Sequence, residues 1–226
     1  MNQSVFITAT DTDAGKTWIT TQLVQALLQS RVNAKALKPI ACGLNANGDN
    51  DDIETLLRAQ ALQQSRDINR YCFSLPAAPS IAALAEGKVI DPKQLQAWCI
   101  KQATSVDLCL IEAIGGLMVP ITPHYLVSDW LSDMPEMPVI LIVGAKLGCI
   151  NHALLSLSLL SQIGREPAWV IINSTDGRQD TQVIKEAIQP YFSSSTNTLE
   201  CGHEEPNSLS PLLIWIEALL TTPHQS

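Results

Sequence analysis

The segment Thr8-Ala9-Thr10-Asp11-Thr12-Asp13-Ala14-Gly15-Lys16-Thr17 governs how the rest of the chain is read. It follows Val5-Phe6-Ile7, an apolar run expected to form a short buried strand. It precedes Trp18-Ile19-Thr20-Thr21-Gln22-Leu23-Val24-Gln25-Ala26-Leu27-Leu28, whose spacing predicts a helix. Strand, tight loop with Gly-Lys-Thr, then helix is the context in which a phosphate-binding loop works. A polyphosphate needs main-chain N–H groups, a helix N-terminus and a cation around it. Gly15 lets the backbone approach closely, Lys16 supplies the ammonium, and the Thr17 hydroxyl can ligate Mg²⁺. The full motif has a glycine five positions before the Gly-Lys pair, and here that position is Thr10. A bare Gly-Lys-Thr also arises by chance at helix starts. The strand before it and the amphipathic helix after it favour the phosphate site.

Working outward, apolar runs alternate with helical patterns. Strands are expected at 5–8, 34–38, 108–112, 139–143 and 169–172, and helices at 18–29, 52–63, 79–85, 92–103, 150–162, 181–188 and 211–220. Continuous apolar strands suit a parallel sheet buried on both faces. The alternation predicts an α/β fold: a single doubly wound, mostly parallel sheet with helices on both faces, in one domain spanning 1–226. Ligands of such sheets sit beyond the carboxyl ends of the strands, where Thr8, Lys38, Glu112 and Val143 are expected. The polar stretches 43–51 and 193–208 read as loops.

Composition narrows the function. The chain has 226 residues, 16% of them charged and a net charge of −8, so the basic field that nucleic acid requires is absent. Anionic ligands must be held by local groups. Six cysteines occur with no C-x-x-C pair, which argues against zinc and redox motifs. No apolar run reaches the roughly 18 residues of a membrane span. Met1-Asn2-Gln3-Ser4 lacks the flank of a secretory leader, so a cytoplasmic location is expected.

Five further sites carry chemistry. Lys38, in Lys38-Pro39-Ile40-Ala41-Cys42-Gly43, either adds a second cation over the same ligand or is a solvated strand-end lysine. Asp52, in Asp51-Asp52, is either a helix cap or a carboxylate for Mg²⁺. Glu112, before Ala113-Ile114-Gly115-Gly116, resembles the acidic partner of a phosphate loop, with a turn-capping role as the alternative. In Val143-Gly144-Ala145-Lys146-Leu147-Gly148-Cys149-Ile150-Asn151-His152, Gly148 frees N–H groups at a helix start and forms an anion pocket. Asn173 reads a base edge or makes a turn.

Together these motifs resemble the dethiobiotin synthetase family. The resemblance runs over 5–173, and its most specific stretch is 143–154. It implies a P-loop NTPase-like fold and closure of the ureido ring of dethiobiotin from 7,8-diaminononanoate, CO₂ and ATP with Mg²⁺, in biotin biosynthesis. It implies catalytic roles for Lys16, Lys38 and Thr12, and a metal held by Thr17, Asp52 and Glu112. Nucleotide contacts would come from Asp13, Ala14, Gly15, Lys16, Thr17, Trp18, Asp52, Glu112, Gly115 and Asn173. Substrate would meet Thr12, Lys38 and Cys42. The Gly148-Cys149-Ile150-Asn151 helix start of a neighbouring subunit would take its carboxylate, which implies a homodimer with shared sites. Departures are Ala9 where the family has Gly, Cys42 where it has Ser or Thr, and Ala113-Ile114 where it has Gly-Ala. The family's late adenine-contacting Pro-Trp has no match in Thr198-Leu199-Glu200-Cys201-Gly202-His203. Two alternatives stand beside this reading: a related ATP-dependent amide ligase, and a paralogue acting as a nucleotide switch or low-activity binding module.

Overall fold

The computed structural model describes residues 3–203 and 205–221; the leader reading of Met1-Asn2 lies outside them. The chain runs β1 (Gln3–Ala9), α1 (Lys16–Gln29), β2 (Ala34–Leu37), β3 (Ile40–Cys42), α2 (Asp51–Ala59), β4 (Tyr71–Phe73), α3 (Pro79–Ala85) and α4 (Pro92–Ala103). It continues β5 (Leu108–Gly116), β6 (Pro120–Thr122), β7 (Tyr125–Leu126), α5 (Val127–Asp133), β8 (Val139–Gly144) and α6 (Cys149–Gln162). It closes with β9 (Trp169–Asn173), α7 (Thr181–Ile188), β10 (Asn197–Cys201) and α8 (Ser210–Thr221).

Six strands form one sheet in the order β10-β9-β8-β1-β5-β2, and every pairing in it is parallel. All six residues of β8 are buried. Successive strand residues point to opposite faces, so both faces are covered. Helix α1 packs on β1, β2 and β5, while α4 and α5 pack on β5. Phe6 meets the fully buried Trp130 of α5 edge to face, at 5.1 Å between centroids. From β1 the chain first builds outward through β2, returns to insert β5, and then crosses to β8 on the other side. Strand order reverses at β1, which places a crevice at its carboxyl end.

Two expectations need correcting. Stretch 193–208 is not one loop: it contains β10, which completes the sheet beside β9, and a 3₁₀ turn at Pro206–Leu209. Its few apolar side chains suffice because β10 is an edge strand, with its middle residues only half-buried. Glu112 is not at a strand end either, because β5 continues to Gly116. Ile7 pairs with Glu112, but Ala9 pairs with Gly116, so β5 carries two extra residues there. Irregularities of this kind re-aim side chains near sites, and Gly115 absorbs the turn with φ +57. Ala9 itself is fully buried between Gly116 and Ile142, so its methyl is part of the core rather than of the loop.

Candidate functional site

The loop between β1 and α1 ends at Gly15, which has φ +90 and stands as the N-cap of α1. A Cβ there would collide with the Asn173 side chain. That amide comes from the end of β9 and donates to the Ala14 carbonyl at 2.9 Å. At the end of β8, a Cβ on Gly144 would sit 2.8 Å from the Ala14 Cα. Two glycines and one asparagine therefore fix the loop against the sheet. Its amides face the crevice at the positive end of α1.

Lys16 is 6% exposed and donates to the Asp11 carbonyl at 3.0 Å. Burial, with the charge of Lys38 nearby, pulls its pKa down to about 8, against the opposing pull of Glu112, Asp52 and Asp11. Lys38 directly follows β2, and its main chain is held by Ile68 and Asn69. Its Nζ donates to Glu112 Oε1 at 2.6 Å and pairs with Asp52 Oδ2 at 2.8 Å. Burial alone would lower its pKa, but the two carboxylates outweigh burial and hold it above the ordinary lysine value. Lys38 is therefore a fixed cation and not a base.

Thr17 Oγ1 lies 2.8 Å from Asp52 Oδ1 and 2.7 Å from Glu112 Oε1. A hydroxyl has one proton to donate, so it satisfies only one of these oxygens. Glu112 is fully buried, and its Oε2 has no hydrogen-bond partner. Two carboxylates and a hydroxyl brought together with that surplus of acceptors fit a hard divalent cation, which takes one or two carboxylates plus phosphate oxygens and water. Asp52 is aimed by its helix start. Asn50, rather than Asp51 or Asp52, caps α2, accepting from the Ile53 N–H at 3.2 Å while its amide holds the Gly43 carbonyl at 2.8 Å. Asp51 instead accepts from Asn45.

A cavity of about 680 Å³ opens over this cluster. Of the site residues named from the sequence, Thr12, Asp13, Gly15, Lys16, Thr17, Trp18, Lys38, Cys42, Asp52, Gly115 and Asn173 line it. Glu112 sits beneath its floor, and Ala14 is buried behind the loop. Gly148, Cys149, Ile150 and Asn151 do not line it; they lie at the start of α6, where a Cβ on Gly148 would meet open space. Two groups not assigned to the site from the sequence also line the cavity: Pro76-Ala77-Ala78-Pro79 with Ile114 and Val119, and Ser174 and Thr175 with His203. The paired prolines at the entry to α3 are the one sequence signal for the first group; His203 has none, standing in a stretch that reads as a loop. Burial, with Cys72 nearby, pushes the Cys42 thiol up to about 12, so it stays neutral.

A family profile described as an AAA domain matches residues 3–194. The ATP-dependent dethiobiotin synthetase BioD of Baumannia cicadellinicola subsp. Homalodisca coagulata is 36% identical over 177 residues, covering 76% of this chain and 78% of that protein. The ATP-dependent dethiobiotin synthetase BioD 1 of Salmonella typhi is 37% identical, covering 73% of each. That of Escherichia coli (strain K12) is 34% identical, covering 75% of this chain and 77% of that one. Among solved structures, the hydrogenase maturation factor HypB of Archaeoglobus fulgidus superposes with a TM-score of 0.60 at 13% identity, over 97% of this chain and 90% of that one. A ParA family ATPase of Chlorobium tepidum TLS gives 0.54 at 14% identity, over 100% and 95%. These two share the fold.

Proposed function

We propose that this chain, which belongs to the ATP-dependent dethiobiotin synthetase family and is thus an ATP-dependent ligase, uses the cavity over Lys16 and Lys38 to close the ureido ring of dethiobiotin from 7,8-diaminononanoate, CO₂ and ATP. The observation that carries the proposal is the pair of buried ammonium groups at one carboxylate cluster: Lys38 bonds Asp52 and Glu112, whose oxygens also meet Thr17, and Lys16 feels the charge of both carboxylates. One substrate amine takes up CO₂ and, losing a proton, becomes a carbamate. A carbamate oxygen attacks the γ-phosphorus, ADP leaves, and a carbamic–phosphoric anhydride forms. The second amine attacks the anhydride carbon, inorganic phosphate departs, and the amine's proton goes to solvent. Little covalent work falls to the protein, so positioning and charge neutralisation dominate.

Lys16 neutralises the β- and γ-oxygens, because a polyphosphate restores the charge that burial weakens. Lys38 is permanently charged and offsets the carbamate and the transferring phosphoryl group. Thr12 and Cys42 flank the diamine, against the apolar wall of Pro76–Pro79 and Ile114. Asp13, Gly15, Trp18, Gly115 and Asn173 border the nucleotide. Mg²⁺ on Thr17, Asp52 and Glu112 would neutralise phosphate charge when bound. Leu147 (95% exposed) and Ile150 leave an apolar surface at the start of α6, and Met118 and Leu155 line a second cavity with His152. The apolar surface supports a homodimer in which Gly148–Asn151 faces the substrate carboxylate of the partner. A cytoplasmic location is part of the same proposal, since the reaction draws on ATP. No helix among the described residues is long and apolar enough to cross a membrane.

The test is phosphate release by purified protein with Mg-ATP. Release is expected only when diaminononanoate and bicarbonate are both present. Release without the diamine would favour a nucleotide switch, and saturable nucleotide binding without turnover would favour a silent paralogue.

A further inference from the structure

Lys146 stands in the most family-specific stretch of the chain and has no part in the reaction just described. Its Nζ donates to Asp11 Oδ2 at 2.6 Å, joining residues 135 apart. Asp11 is a junction within the phosphate loop. Its Oδ1 accepts from the Thr12 N–H at 2.8 Å, and its carbonyl accepts from the Lys16 ammonium at 3.0 Å. The same residue therefore holds both the Thr12 main chain and the Lys16 ammonium. A carboxylate there is also an electrostatic liability, since a polyphosphate approaching the loop would be repelled by it. Asp13, two residues on, lines the cavity and adds to that repulsion. Lys146 is the cation paired with Asp11, and it leaves the sheet two residues after Gly144, whose backbone already abuts Ala14.

We propose that Lys146 is a positioning residue for ATP. It neutralises Asp11 and clasps the loop after β8 to the phosphate loop, so that Thr12 and Lys16 are presented to a polyphosphate without an opposing charge. The inference rests on the reading that loop 10–17 receives the ATP phosphates. The ion pair holds the Asp11 carboxyl below its ordinary range, with His152 on α6 adding to the same field. Lys146 is 47% and Asp11 43% exposed, so solvent screens the pair and its effect is moderate.

The experiment is steady-state kinetics with varied Mg-ATP at low and high salt. It compares the native chain with Lys146→Ala, Lys146→Arg, Asp11→Asn, the double variant Asp11→Asn/Lys146→Ala, and Lys16→Ala. Lys146→Ala is expected to raise the KM for ATP about fivefold, the upper range for a partly exposed pair, with kcat within about twofold of native and the thermal midpoint unmoved. High salt should shrink the difference, and Lys146→Arg should behave as native. The double variant should recover, because the side-chain amide introduced by Asp11→Asn keeps an acceptor for the Thr12 N–H while no charge remains to be neutralised. An unchanged KM in Lys146→Ala would overturn the inference. So would a double variant as weak as Lys146→Ala, since Lys146 would then act on the substrate directly. Lys16→Ala keeps the two readings apart: if it binds and turns over ATP normally, the phosphate-site reading itself fails, whatever Lys146 does.

Discussion

Truncating Lys38 should damage the protein in two separable ways. Lys38 is 3% exposed, and Glu112 is completely buried beneath it. Lys38→Ala leaves Glu112 Oε1 without its 2.6 Å ammonium partner, beside an Oε2 that already lacks one. Stranding a buried charge by removing its partner costs about 3–5 kcal/mol. The half-exposed Asp52 is rehydrated and adds little. At about 2–4 °C per kcal/mol for a domain of this size, the thermal midpoint should fall by roughly 6–20 °C. The double variant Lys38→Ala/Glu112→Gln has no charge left to strand and should regain at least about 2 kcal/mol, a coupling of the size expected for groups in direct contact. Phosphate release should be absent from both, because the second cation is missing in each. Urea or thermal unfolding of the native chain, the two single variants and the double variant, with the phosphate assay alongside, measures all of this. If Lys38→Ala costs under about 1 kcal/mol, or the double variant is as unstable as Lys38→Ala, the buried-pair argument is wrong.

Two other outcomes follow from the protonation of the site. With Lys16 titrating at about 8 in the empty enzyme, kcat/KM for ATP, which reports the free enzyme, should fall above about pH 8, while kcat holds to higher pH. The sign for stability is the reverse of a paired lysine's. A lysine whose folded pKa is depressed costs stability while charged; the cost is full below about pH 8 and fades as pH rises to the ordinary lysine range. A kcat/KM profile level up to that range would contradict the burial argument. Separately, Cys42→Ser replaces a neutral thiol, a poor donor, by a hydroxyl. The diamine KM should stay the same or fall by up to about fivefold, the range of one ordinary hydrogen bond. A clear rise in KM would mean that sulfur makes a contact oxygen cannot.

Much of the frame was legible in the residues because a parallel sheet writes itself as apolar runs. The runs at 108–112 and 139–143 became β5 and β8, and the segment 92–103 coincides with α4. The elements that leave no clear mark in the sequence are short or set by tertiary pairing. Strands β3 and β4 have three residues each and pair only with each other. β10 shows no strong alternation and is a strand because β9 offers it an edge. Helix α2 stops at Ala59 rather than running to 63, since the Gln60 side chain turns back to bond Ala36 and the next residue, Ala61, is left-handed at φ +52. At the site, Gly-Lys-Thr, Lys38 and Glu112 could be picked out by residue type and position. Their convergence could not, because it depends on the order in which β2, β5 and β1 lie side by side. The two-residue slip that turns β5 past Glu112 likewise leaves no mark except the glycines after it.

The oxygens and ammonium groups at the centre of the cavity come from widely separated parts of the chain, with Glu112 lying 95 residues after Thr17. At the roughly 5–20 residues per second of translation, a ribosome delivers the anchoring glutamate about 5–20 s after the threonine. A nascent chain that has made only the loop and first helix owns Lys16 and Thr17 but neither Lys38, Asp52 nor Glu112. It therefore lacks the second cation and both carboxylates of the proposed metal site. On the proposed function the site is complete only when the strand that carries the glutamate slots in beside the first.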